Sequence, residues 1–138
     1  MFLTLLAVQV ASTTTTCADG RSMQGADWAC PTAVFFDSGK GDEIRSEWLQ
    51  ALDGVAQSVR ARGGALQLDS YSDRSGPAAV NLRVAQERGA AVRQELVQRG
   101  IPAESITVVA HGEANPLVAT EDGIREPQNR RVDITVLP

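Results

Sequence analysis

ALQLDSYSDRSGPAAVNLRVAQERGAAV, residues 65–92, changes period part-way along, and that change decides the fold. Residues 65–71 alternate as a strand does. Gly76-Pro77 then opens a helix, since proline at its start gives up no intrahelical N–H bond. The helix runs to about Arg99 and stops at Gly100, a natural C-cap. Counted from Val84 with a 3.6-residue period, its inward face holds positions 81, 84, 85, 88, 92 and 96. Val84, Ala85, Val92 and Leu96 suit a core. Asn81 and Arg88 do not, and they stand on the same stripe.

An arginine drawn toward a core needs a partner, because an uncompensated buried charge costs several kcal/mol. Asp73, between strand and helix, is the nearest candidate in sequence. Two arrangements satisfy the demand. In one, an Asp73–Arg88 salt bridge pins the strand–helix corner, with Asp73 also accepting backbone N–H groups. In the other, the two charges line a pocket suited to a zwitterion. Arg88 clamps a carboxylate through its planar fork, Asp73 takes an ammonium group, and the helix N-terminus offers donors to a second carboxylate.

The flanking sequence supplies the remaining layers. AVFFD (33–37) reads as a strand ending in the loop SGKGDE. From Glu43 to Arg62 the apolar residues Ile44, Trp48, Leu52, Val55 and Val59 recur every three or four positions, a helix stopped by Gly63-Gly64. SITVVAH (105–111) and RRVDITVL (130–137) are two more strands, the last with Val132, Ile134 and Val136 on one face. The order β-α-β-α-β-β predicts an α/β (α+β) two-layer sandwich, two long helices on one face of a mixed four-stranded sheet.

The chain has 138 residues, 43% of them hydrophobic and 22% charged, enough for one modest domain, placed at 31–138. A net charge of −4 argues against nucleic-acid binding, which needs a basic face. Residues 1–30 read as a signal-like or leader segment. Phe2–Ala11 form an apolar run too short to span a bilayer, followed by small residues, although no Lys or Arg precedes it. An apolar first strand is the alternative. Cys17 and Cys30 are candidates for a disulfide in an exported protein, and Cys17 for lipidation, although TTT before it is a poor processing site. Two thiols and one distant histidine, His111, make no metal cluster.

VFFDSG, SYSDRSG, NLRVAQERGAAV, HGEANP and QNRRVDITV together, in this order, resemble the peptidoglycan-binding domain at the C-terminus of outer-membrane protein A. The same OmpA-like domain occurs in peptidoglycan-associated lipoproteins and flagellar stator proteins. The likeness covers roughly residues 31–137. It implies non-covalent binding of the meso-diaminopimelate side chain of peptidoglycan in a Gram-negative periplasm, near the outer membrane or cell wall. It implies that Asp73 and Arg88 hold the free amino-acid end of that side chain, that Asn81 opens the helix motif, and that Asp37 and Ser38 line the pocket. Asn129, Arg130 and Arg131 match a terminal motif in which one arginine is mainly structural, since alternate strand residues face opposite ways. Gly112 matches the glycine after the third strand. No cofactor is implied. Departures from the family pattern are Ser70 for glycine, Ser72 for threonine, Ala85 for serine, Gly89 for alanine and His111 for an aromatic residue. On propensity alone, Gly89 costs the helix up to about 1 kcal/mol relative to alanine.

Catalysis lacks its parts. A hydrolase needs an activated nucleophile beside a base, and no such motif is present. Asp37 and Asp73, both at strand ends, could work as an acid–base pair if their pKa values were split. The remaining alternative to wall binding is a module that contacts other envelope proteins.

Overall fold

The computed structural model describes residues 14–16, 22–24 and 32–137. The chain divides into two units, Met1–Cys30 and Pro31–Pro138. In the first, β1 (Thr14–Thr16) pairs antiparallel with β2 (Ser22–Gln24), Thr15 opposite Met23. The threonine run therefore supplies a strand, as β-branched residues favour. The apolar run at 2–11 and both cysteines, Cys17 and Cys30, lie outside the described residues.

The second unit follows the predicted order: β3 (Thr32–Phe35), α1 (Ser46–Arg62), β4 (Ala65–Tyr71), α2 (Ala78–Gln98), β5 (Ile106–Gly112) and β6 (Arg131–Leu137). The four strands lie in the order β3-β6-β4-β5, with β4 and β5 parallel and β6 antiparallel to both its neighbours. The sheet is mixed, and the two helices cover one face of it.

Period-2 alternation builds the inner layer. On β4, Leu66, Leu68 and Ser70 are buried while Ala65, Gln67, Asp69 and Tyr71 are only half-buried. Leu66, Leu68, Val132 and Ile134 meet Leu52, Ala56, Val92 and Leu96 of the helices in one core. Each large apolar side chain buried there contributes roughly 1.5–3 kcal/mol.

Helix α1 starts three residues later than its periodicity predicts. Glu43 N–H closes a turn on Lys40 O at 3.2 Å, and Arg45 is the N-cap. Ile44 still packs on the core from the residue before that cap, where a hydrophobic staple sits, so its spacing mimicked helix. At the other helix, Pro77 is the N-cap rather than the first helical residue, and no side chain caps the turn.

The inward stripe of α2 is Asn81, Ala85, Arg88, Gly89, Val92 and Leu96, with Val84 half-buried. Gly89 was not expected on it, and its presence changes the meaning of that residue. A Cβ there would lie 2.6 Å from Val108 Cγ1 and 3.0 Å from Ser70 Oγ. Two departures from the family pattern thus meet. Ser70 adds a hydroxymethyl group on the sheet, and Gly89 removes a methyl group from the helix above it. The cost to helix propensity is offset by close approach of α2 to the sheet.

Candidate ligand-binding site

The C-terminal ends of β3 and β4, the start of α2 and the approach to β6 enclose a cavity of about 190 Å³. Ser38, Asp73, Asn81 and Arg88 all line it, together with Ser72 and Arg130. Asp37 does not. Its carboxylate turns to Arg45, 3.6 Å away, and lines a neighbouring cavity with Phe35, Trp48 and Arg130. Strand β3 ends at Phe35 and the chain turns at Ser38, which separates Asp37 from Ser38. The turn also separates Asp37 from Asp73, so the two carboxylates share no cavity.

Asp73 and Arg88 share the cavity without forming an ion pair. The partner of Asp73 is Arg130, whose Nη1 donates to Oδ2 at 3.1 Å. Oδ2 also accepts from Glu126 N, while Oδ1 accepts from Ser75 N and Ser75 Oγ, the latter at 2.6 Å. A carboxylate has about four lone-pair sites, so the protein alone occupies them all. Burial pushes the Asp73 pKa up, but the hydrogen bonds from Ser75, Arg130 and Glu126 outweigh it and hold the carboxyl below its ordinary value.

Arg88 is placed differently. Its Nε donates to Gly41 O at 3.3 Å, and its guanidinium lies 5.3 Å from the centre of the Phe36 ring. Nη1 and Nη2 have no hydrogen-bond partner among the described residues. Burial lowers its pKa, partly countered by the charge of Asp73, while Arg130 adds repulsion. A guanidinium stays protonated under such pressure. The result is a charged fork, 4% exposed, lining a cavity open to solvent on one side.

Asn81 spends both amide hydrogens inside the protein. Nδ2 donates to Gly76 O at 2.8 Å and to Glu113 Oε2 at 2.9 Å. Only its Oδ1 is left to a ligand, as an acceptor.

The terminal motif divides as alternation predicts. Arg130 turns to the cavity, and its Nε donates to Phe36 O at 2.9 Å. Arg131 turns to the helix-free face, 4.0 Å from the centre of the Tyr71 ring, with Nε donating to Asp133. His111, the extra residue where the β4–β5 register shifts, stacks on Tyr71 and meets Asp69 Oδ1 at 2.8 Å through Nε2. Asn129 is fully buried and grips Val118 twice, accepting from its N–H at 2.9 Å and donating to its C=O at 2.8 Å. Gly112, at φ 64°, presses on Leu82, where a Cβ would come within 3.2 Å of the backbone. Its C=O accepts from Ser72 N.

Sequence reasoning missed the anchoring of the loop at 113–126. Arg74 pairs with Asp122 and donates to Thr120 O at 3.1 Å, and Gly123 N–H donates to Arg74 O. With the Asp73–Glu126 bond, these ties fix the strap beside the cavity.

Among curated proteins, this chain is 28% identical over 116 residues to a peptidoglycan-associated lipoprotein of Pseudomonas putida, spanning 84% of this chain and 69% of that one. It is 33% identical over 115 residues to outer membrane protein A of Yersinia pseudotuberculosis, spanning 75% of this chain but only 32% of that longer protein. Among solved structures it resembles the peptidoglycan-associated lipoprotein from Burkholderia pseudomallei, with a TM-score of 0.69 at 25% identity over 75% of this chain and 88% of that one. The C-terminal domain of Helicobacter pylori MotB shares the fold, with a TM-score of 0.68 at 16% identity over 78% of this chain and 84% of that one. Among the described residues no helix is long and apolar enough to cross a membrane. The OmpA family model matches residues 35–130, most of the second unit, and the chain belongs to the OmpA family.

Proposed function

We propose that this domain binds peptidoglycan non-covalently through the meso-diaminopimelate of the stem peptide, and so tethers an envelope component to the cell wall from the periplasm. The observation that carries this is the Arg88 fork, charged, buried and without a partner for Nη1 or Nη2 among the described residues. A structural salt bridge would have used those donors. A carboxylate entering the cavity meets the two unused N–H-bearing nitrogens of a planar fork suited to paired hydrogen bonds. The name of the Pseudomonas relative, a peptidoglycan-associated lipoprotein, supports the coarser part of this reading, association with peptidoglycan.

Asp73 then has a second task besides holding Arg130. Its negative charge faces an incoming ammonium group, and Ser75 Oγ, a freely rotating hydroxyl, is the partner such a group displaces most easily. Asn81 Oδ1 accepts a further N–H, and the uncapped first turn of α2 offers backbone donors to a second carboxylate. Ser38 closes the wall.

Sedimentation with purified diaminopimelate-type sacculi tests the proposal. Wild type is expected in the pellet and Arg88→Ala in the supernatant. Wild type remaining soluble, or Arg88→Ala pelleting equally, contradicts it. Release of soluble wall fragments in the same tubes would instead identify a hydrolase.

A further inference from the structure

The two edges of the four-stranded sheet differ in how they end. β3 has four residues, too few to offer a long row of free backbone groups. β5 has seven, and Ile106–Gly112 contains no lysine, arginine, aspartate or glutamate. β4 takes one row of its backbone groups, Ile106 N–H donates to Ala103 O, and among the described residues no other hydrogen bond reaches the backbone of 107–110. Edge strands in folded proteins are commonly shielded by charge, proline, a bulge or a covering element. Here the bulge lies at the far end, and among the described residues nothing hydrogen-bonds to the outer side of the edge from Thr107 to Ala110.

A groove of about 980 Å³ runs along it, walled by Gln86, Ala90, Gln94 and Val97 of α2. It also touches Val108, Val109 and Ala110. Consecutive strand residues point to opposite faces, so a groove that reaches all three opens on the strand's edge rather than on either face. Val97 and Val109 are 38% and 37% exposed. The lining holds one charge, Arg93, whose Nη2 already donates to Ala103 O at 2.8 Å.

We propose that this groove binds an extended peptide segment of a partner protein, which adds to the sheet as a fifth strand beside β5. Only another extended backbone matches a row of free N–H and C=O groups in spacing. Alanine and valine in the wall suit small or β-branched side chains. The neutral lining gives no attraction to a strongly charged segment, and the glutamine amides meet polar groups at the rim. A second copy of this chain fits less well. Helix α2 supplies most of the groove's wall, so edge-to-edge pairing would bring two such helices against one another.

The probe is an acetylated, amidated eight-residue peptide of alternating threonine and valine, titrated into the full chain by fluorescence anisotropy. A second peptide has the same side chains with alternate backbone nitrogens methylated. The first peptide is expected to bind and to slow hydrogen exchange at 107–110. Methylation and the surface substitution Ala90→Glu are each expected to weaken it at least about tenfold. Absence of binding, equal binding of the methylated peptide, or protection elsewhere overturns the proposal. So does sedimentation velocity showing that the free chain pairs with itself and that Ala90→Glu makes it monomeric.

Discussion

The helix wall and the strand wall of the cavity each bring in one arginine, and the two are used in opposite ways. Arg130, 8% exposed, gives Nε to Phe36 O and Nη1 to Asp73, so it is built into the corner. Arg88, 4% exposed, has one long bond to a loop carbonyl and an aromatic ring beneath it. Burial alone therefore does not separate a structural cation from a binding one. What separates them is how many donors the protein itself consumes.

The largest expected effect comes from Asp73, which serves the committed arginine. Asp73→Ala strips Arg130 of its counter-charge and orphans the Glu126 and Ser75 N–H groups. A loss of about 3–5 kcal/mol in denaturant unfolding is expected. A loss below about 1 kcal/mol would mean that Arg130 is no more committed than Arg88.

Asn129 locks the strap on the same side. Asn129→Ala leaves both polar groups of Val118 unmatched and is expected to cost about 1–3 kcal/mol, read by the same unfolding curves.

On the helix side, Gly89 lets α2 lie close to the sheet. Gly89→Ala gains about 1 kcal/mol of helix propensity but overpacks Val108 and Ser70, for a net loss of up to about 2 kcal/mol. Adding Ser70→Gly is expected to recover part of it, since the two positions touch. Additive losses in that double-mutant cycle would show that the sites do not communicate.

Acid distinguishes the walls too. Asp73 is held below its ordinary pKa when folded, so it adds stability above the unfolded-state value, lost as pH falls through the folded one. Asp73→Asn should flatten that acid limb, and Arg88→Ala should leave it largely in place. The smallest change is expected from Arg88→Ala at neutral pH, less than about 1 kcal/mol in either direction, because it removes a buried charge that Asp73 only partly compensates along with its weak contacts.

Much of this was legible in the sequence. The switch from period 2 to period 3.6 at residues 65–92 set the strand, the turn and the inward stripe. Asn81 and Arg88 fell on that stripe, and the structure buries both. The identity of Asp73's partner was not legible, because Arg130 lies 57 residues away and only the β4–β6 pairing brings it near. One signal was available. Arg130 shares its parity with Val132 and Ile134, so alternation already put it on the helix side of the sheet. Asp37 misled because proximity to Ser38 in sequence is not proximity in a pocket. Gly89 looked like a fault in the helix because propensity sees the helix alone, and its reason sits on the strands beneath.

The division of labour between the arginines comes down to calorimetric titration with two stem peptides, one containing meso-diaminopimelate and one containing lysine at that position. The lysine peptide lacks the extra carboxylate that Arg88 would clamp. Binding of the diaminopimelate peptide to wild type is expected, weakened at least about tenfold by the lysine replacement and by Arg88→Lys, with the fold intact in both proteins. Equal binding of both peptides, or undiminished binding by a folded Arg88→Ala protein, would show that the free donors of Arg88 do not hold the ligand.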